Sequence, residues 1–184
     1  MKTLVVLGMH RSGTSLLARA LHTFENDPPV SMGDKMLDDV LKDLHGEAMK
    51  ESNSQGHYED FEFMQLNDAI LNSAGGSWFN PPPREQIKAV GQRYDSVIKQ
   101  LLDRRKDKTI WGWKDPRTCL TADVFHPYLE NPHYICMFRD VEGVAKSLVK
   151  RDAKTIGMTF EYADKLAREY NKRILNFISD LEVY

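Results

Sequence analysis

Cysteine is scarce in this chain: Cys119 and Cys136 are the only two among 184 residues. Both sit in apolar or strand-like sequence, which argues against a disulfide scaffold, favours a reducing compartment and makes the thiols core residues. No apolar run approaches the roughly 20 residues of a bilayer crossing. Met1-Lys2-Thr3 leads straight into strand-like sequence, without the charged and apolar regions of a secretory leader. A cytoplasmic protein with no membrane partner is therefore expected. An excess of one charge is missing too. The formal net charge is −2 and the isoelectric point is near 6.3, which speaks against a nucleic-acid partner. Internal repeats and low-complexity tracts are also absent.

What is present is 41% hydrophobic residues over 184 positions, enough for one core and a single domain spanning residues 1–184. The most informative stretch is Leu4-Val5-Val6-Leu7 followed by Gly8-Met9-His10-Arg11-Ser12-Gly13-Thr14-Ser15. Four apolar residues predict a buried parallel strand, and GxxxxGTS predicts a loop opening a helix near Thr14. Gly8 and Gly13 are expected to turn the backbone so that successive N–H groups point inward. With the positive end of the helix, those donors suit phosphate or sulfate oxygens. A plain βα turn is the structural alternative. A nucleotide-hydrolysing loop carries GxxxxGK[ST], its lysine on the outer phosphates and its Ser/Thr on magnesium. Here Thr14 stands in the lysine position and the cation is Arg11, inside the loop. That shift points away from phosphoryl transfer, toward a metal-free relative of the same architecture.

Leu16, Leu17, Ala20, Leu21 and Phe24 recur at helical spacing and predict a first helix from about Thr14 to Phe24. Met36 to Met49 predicts a second amphipathic helix, and the polar stretch Glu51 to Gly56 leads into His57-Tyr58-Glu59-Asp60. Phe61 to Asn72 predicts another helix, with Asp60 as its N-cap. Pro81-Pro82-Pro83 sets the entry of a helix from about Arg84 to Arg105, whose stripe of Ile87, Val90, Tyr94, Val97, Ile98, Leu101 and Leu102 reads as core. Asp103 to Lys108 reads as a solvated charged turn. Thr109 to Trp113 and His133 to Phe138 predict two more strands, closed by Lys114-Asp115-Pro116-Arg117 and by Arg139-Asp140. Asp140 caps a helix over Val141 to Arg151, and the last helix runs from about Thr159 to Leu181, with Phe160, Ala163, Tyr170, Ile174 and Phe177 among its inward residues. Strands alternating with helices predict an α/β fold, a P-loop-type three-layer arrangement with a central parallel sheet flanked by helices. Ligands in such sheets sit beyond the carboxyl ends of the strands. All three predicted strand ends carry a cation: Arg11, Lys114 and Arg139. The basic cluster Lys146, Lys150, Arg151 and Lys154 reads as the solvated face of a helix.

Three separated motifs resemble the P-loop sulfotransferases, which move a sulfuryl group from 3'-phosphoadenosine 5'-phosphosulfate (PAPS) to a hydroxyl or amine and release the bisphosphate PAP. Met9-His10-Arg11-Ser12-Gly13-Thr14-Ser15-Leu16-Leu17 is similar to the family's 5'-phosphosulfate loop, written PRSGTT in the tyrosylprotein type. Arg139 with Ser147 eight residues on resembles the 3'-phosphate motif. Trp113-Lys114-Asp115-Pro116-Arg117-Thr118 resembles the KDP segment of the tyrosylprotein type and many bacterial members. The resemblance runs from Lys2 to about Asp152. Beyond it the family continues through a strand and a glycine-rich closing loop, so this chain is expected to be short at its C-terminus.

The resemblance implies PAPS as donor, no metal, and a small-molecule, carbohydrate or peptide acceptor. It assigns Arg11, Ser12, Gly13, Thr14 and Ser15 to the donor's phosphosulfate and Arg139 and Ser147 to its 3'-phosphate. Arg11 and Lys114 become the catalytic cations. Gly56-His57-Tyr58-Glu59-Asp60 resembles the GxxE segment of members with an HRSGTS loop, so Glu59 is the first choice of general base, with His57 next. Arg117 and Asp115 are supporting groups without a firm role, and His10 either touches a ligand or serves as a spacer. Trp78 and Phe79 form an acceptor wall or part of the core. A divergent small-molecule or nucleotide kinase and a non-catalytic nucleotide-binding relative are the competing readings.

Overall fold

In the computed structural model, which describes residues 1–23, 30–34, 36–40 and 57–181, the apolar run near the amino terminus is an inner strand of a parallel sheet. Strand β1 (Lys2–Gly8) lies between β3 (Ile110–Lys114) and β4 (Pro132–Met137), and β2 (Val30–Met32) pairs with the outer side of β3. Val5 is opposite Trp113 on one side and Tyr134 on the other, and every pairing is parallel. β2 escaped the sequence reading because three residues are too few to show a period.

Besides the helical residues 37–40, seven α-helices flank the sheet among the described residues: α1 (Thr14–Thr23), α2 (Phe61–Ser73), α3 (Arg84–Gly91), α4 (Asp95–Asp103), α5 (Thr118–Phe125), α6 (Val141–Ile156) and α7 (Phe160–Leu181). Successive side chains of β1 go to opposite faces, as the two-residue period of a strand requires. Val5 and Leu7 join the large core, while Val6 packs with Ala18 of α1 and Met32 of β2. The large core is built around aromatic rings. Phe63 of α2 stacks on Trp113 at 4.1 Å between centroids and also meets Trp111 and Phe125.

Several expectations need correction. The helix expected over Arg84 to Arg105 is two helices joined by a 3-10 turn at Gln92–Tyr94. A side chain on Gly91 would stand 2.7 Å from Val124, so this segment passes α5 too closely for any Cβ. The break rotates the stripe, leaving Val97 exposed while Ile87, Ile98, Leu101 and Leu102 remain buried. Phe160, expected inward, is also exposed at the start of α7. Helix α5 gave no periodic signal because seven of its eight residues are buried. Helix α6 runs one turn past the expected Arg151, to a left-handed Gly157 cap with φ 68°. Of the predicted Met36 to Met49 helix, Met36 instead bridges Asp60 and 37–40 are helical, while 41–49, like Phe24 and the Glu51 to Gly56 loop, lie outside the described residues.

Arg105 is the clearest departure. The Asp103 to Lys108 turn was expected in solvent, yet the Arg105 side chain is 1% exposed. It donates to Asp60 Oδ2 at 2.8 Å and to the Leu101 carbonyl at 2.6 Å, with its guanidinium 5.1 Å from the Phe63 ring centroid. Charge runs hide such a residue, because composition does not say which member meets a buried carboxylate. Cys119 is buried as expected, and its Sγ accepts from the Gly8 amide at 3.1 Å. Cys136 is half-buried, and both thiols are free. None of the described helices is long and apolar enough to cross a membrane.

Candidate functional site

The loop after β1 is shaped by three residues for three reasons. Gly8 is needed for space, not for an unusual φ, since a Cβ there would lie 2.5 Å from Thr14 Cγ2. Gly13 takes φ 90°, a conformation in which glycine is favoured. Arg11 takes φ 69° although it is not glycine. Such a backbone is held only where neighbours overdetermine it. Here Arg11 Nε donates to Ser147 Oγ at 2.8 Å, and its carbonyl accepts from Arg139 Nη1 at 3.0 Å. The Ser12 amide returns to the Met9 carbonyl at 3.1 Å. The amides of Thr14 and Ser15 open α1, where the helix itself supplies no acceptor. A cavity of about 200 Å³ lies against this turn, lined by Arg11, Gly13, Thr14, Ser15, Arg19 and Arg139.

Arg139 and Ser147, eight residues apart in sequence, thus both reach Arg11. Arg139 also lies 3.5 Å from Asp140 Oδ2, the ion pair expected of a helix-capping neighbour. Asp140 caps α6 through the Gly143 amide.

A second cavity of about 310 Å³ shares Arg11, Thr14 and Ser15 with the first. Glu59 and Lys114 line it, both nearly out of solvent. Lys114 Nζ, at the carboxyl end of β3, is 2.8 Å from Glu59 Oε1 and 3.3 Å from Ser15 Oγ. Arg117, one turn beyond, reaches Asp68 at 2.7 Å, Asp115 at 2.9 Å and Glu59 at 3.7 Å. Burial works against its charge, but Asp115, Glu59 and Asp68 outweigh it and hold its pKa above the ordinary arginine value. Asp115 is itself fixed by Asn67 Nδ2 at 2.8 Å. His57 lines the same cavity and pairs with Asp38 at 2.9 Å. Asp60 caps α2 as expected, accepting from the amides of Glu62 and Phe63 at 3.0 and 3.3 Å.

The far wall holds residues to which the sequence reading assigned little. His10 is buried against Trp78, ring centroids 4.6 Å apart, and its Nε2 has no hydrogen-bond partner. Burial, then the positive charges of Arg151, Arg117, Lys114 and Arg11, hold its pKa well below the ordinary histidine value, so the imidazole is neutral. Trp78 lines the cavity, while Phe79 packs edge-on against it at 5.5 Å. Arg151, read as part of a solvated face, instead lies 5.3 Å from the Trp78 ring centroid and donates twice to Asp152, each time at 2.8 Å. Its spacing was the missed signal: Arg151 is four residues after Ser147, one turn along the same face of α6.

Compared with known proteins, residues 3–182 match the model of the sulfotransferase family. This match extends past the segment that carried the resemblance in the sequence. No curated protein and no solved structure matches the chain.

Proposed function

The chain belongs to the sulfotransferase family, and we propose that it moves a sulfuryl group from PAPS to an acceptor hydroxyl or amine by in-line transfer without a metal. Sulfotransferase activity in general is what the family supports; the donor, the mechanism and the residue roles are our reading. The observation that carries it is the meeting of two cavities at Arg11, Thr14 and Ser15, with the Lys114–Glu59 pair beside that seam. A donor in the first cavity presents its sulfuryl group at the seam, and an acceptor in the second approaches from the opposite side.

The residues fit such a donor. The amides of Thr14 and Ser15 at the positive end of α1 suit the 5'-phosphate. Arg139 and Ser147, already gathered on Arg11, suit the 3'-phosphate, with the planar guanidinium making paired bonds to its oxygens. In the transfer the acceptor oxygen bonds to sulfur as the bond from sulfur to the phosphate oxygen breaks. Negative charge builds on that bridging oxygen. Arg11 and Lys114 meet it with positive charge, Lys114 from a buried position where solvent screens it little. The acceptor's proton passes to Glu59, whose carboxylate is oriented by Lys114 and Arg117. PAP and the sulfated acceptor then leave. In a transfer of this kind positioning and charge stabilisation do most of the chemistry.

The test is incubation with ³⁵S-labelled PAPS and three acceptor classes: 2-naphthol, neutral monosaccharides and a tyrosine peptide. The reading expects label in at least one class, undiminished by a chelator. Phosphoryl transfer from ATP with magnesium, and no transfer from PAPS, would overturn it.

A further inference from the structure

Glu59 is reached by an unusual piece of backbone. Tyr58, immediately before it, has φ 50°, left-handed for a residue with a large side chain. Its ring packs with the small cluster of Val6, Ala18 and Met32, so the strained residue is anchored at its side chain. Its amide is anchored by Asp38. Both oxygens of Asp38 accept from the His57 amide, at 2.9 and 2.7 Å, and Oδ2 accepts from the Tyr58 amide at 3.0 Å. His57 Nδ1 stands 2.9 Å from Oδ1. One carboxylate therefore gathers two consecutive amides and a side chain, and the chain must turn sharply to present them. The neighbouring Leu37 amide donates to the Glu59 carbonyl at 2.8 Å, holding the far end of the turn against the same segment.

We propose that Asp38 is a positioning residue, which clamps the His57–Tyr58 turn so that the Glu59 carboxylate is delivered to Lys114. The consequence for turnover rests on Glu59 being the base, as proposed above; the geometric claim does not. The hydrogen bonds from His57 and Tyr58 outweigh burial and bring the Asp38 carboxyl down to a pKa of about 2, so the clamp is charged at any ordinary working pH. Without it two amides lose their acceptor, Tyr58 relaxes to negative φ, and Glu59 swings away from Lys114. The loop at Arg11 and the Arg139 contacts do not involve Asp38, so the donor side stays intact.

Crystal structures of Asp38→Ala and Asp38→Asn test the geometry. In Asp38→Ala we expect Tyr58 at negative φ and Glu59 beyond hydrogen-bond reach of Lys114, with PAP affinity within about twofold of the parent, since a positioning fault is local. Glu59 still 2.8 Å from Lys114 Nζ would overturn the proposal. Kinetics separate positioning from mere stability. PAP release from PAPS, with 2-naphthol or else water as acceptor, should fall by about 10- to 100-fold in Asp38→Ala with the KM for PAPS unchanged. Asp38→Asn keeps one acceptor oxygen, so it should recover part of that loss and serves as the folded variant if Ala does not fold. In a Glu59→Gln background Asp38→Ala should cost less than about a further twofold, because a positioning residue has no effect once its target is gone. A fully multiplicative loss would overturn the proposal. A Glu59→Gln enzyme with parental turnover would instead overturn the base assignment while leaving the crystallographic arm decisive for Asp38.

Discussion

Lys114 Nζ and Glu59 Oε1 form a 2.8 Å ion pair in which the lysine side chain is 1% exposed and the glutamate 9%. The pair joins the end of β3 to the segment leading into α2, fifty-five positions earlier in the chain. Buried pairs of this kind are poor devices for stability alone, because desolvation offsets much of the attraction. Their position beside Ser15 at the seam of two cavities is where the proposed transfer needs them.

Replacing either member should separate stability from turnover. Glu59→Gln keeps shape and loses charge, and we expect PAP binding retained while transfer falls by about 10²- to 10⁴-fold, the range for a general base. Lys114→Ala leaves a buried carboxylate with only Arg117 beside it, so we expect a loss of about 3 kcal/mol in urea unfolding as well as loss of transfer. Parental turnover in either variant would rule out the assigned role.

Arg11 combines the cationic role proposed for its side chain with a left-handed backbone, and two substitutions tell these apart. Arg11→Ala and Arg11→Gly should both lose transfer by about 10²-fold or more. Arg11→Gly should nevertheless be more stable than Arg11→Ala by roughly 1 kcal/mol, since glycine adopts the φ of 69° without penalty. Thermal unfolding of the two variants checks the order, and the reverse order would contradict the loop geometry.

His10 carries a pH signature. Its pKa is depressed in the folded protein, so the native imidazole stays neutral where the unfolded one takes up a proton, below about pH 6.5. Stability from this residue is complete above that value and is lost as pH falls, by up to about 1.4 kcal/mol per pH unit until the native group also protonates. His10→Phe retains a ring against Trp78 and should flatten the fall between about pH 6.5 and pH 5 by up to one proton. Urea unfolding across that range measures it, and an unchanged slope would mean that His10 takes up its proton as readily in the fold as in the unfolded chain.

Arg105 should be among the most sensitive positions outside the cavities. Arg105→Ala leaves the Asp60 carboxylate buried and without its cation, and we expect a loss of about 3–5 kcal/mol. Arg104, one position earlier and exposed, meets Glu62 at 2.7 Å, and Arg104→Ala should cost less than about 1 kcal/mol. Equal losses would show that the buried pairing is not what holds the turn.

Much of this was legible in residue order. The apolar run before GxxxxGTS marked β1 and α1, and the cations after β1, β3 and β4 do gather near one another, because the strands are parallel and end on the same side of the sheet. Asp60 was recognisable as an N-cap from its place before an apolar period. What stayed hidden had physical causes. Helix α5 is buried almost all round and so lacks the polar face that creates a period. Arg105 sits in a charged run, where nothing local says which residue turns inward, and the one local signal for Arg151 was its four-residue spacing from Ser147. Asp38 is nineteen positions from His57, and no pattern links a carboxylate to two amides across that distance. Arg11 reads as a cation in the sequence, but its left-handed backbone and its bond to Ser147 belong to the folded chain.

Calorimetric titration of the protein with PAP, in parallel with ATP and magnesium, tests the donor assignment most directly. We predict micromolar or tighter binding of PAP without metal, weakened by about 10- to 100-fold in Arg139→Ala, as expected for loss of charge-assisted hydrogen bonds. Binding of ATP with magnesium but not of PAP, or PAP affinity unchanged by Arg139→Ala, would contradict it.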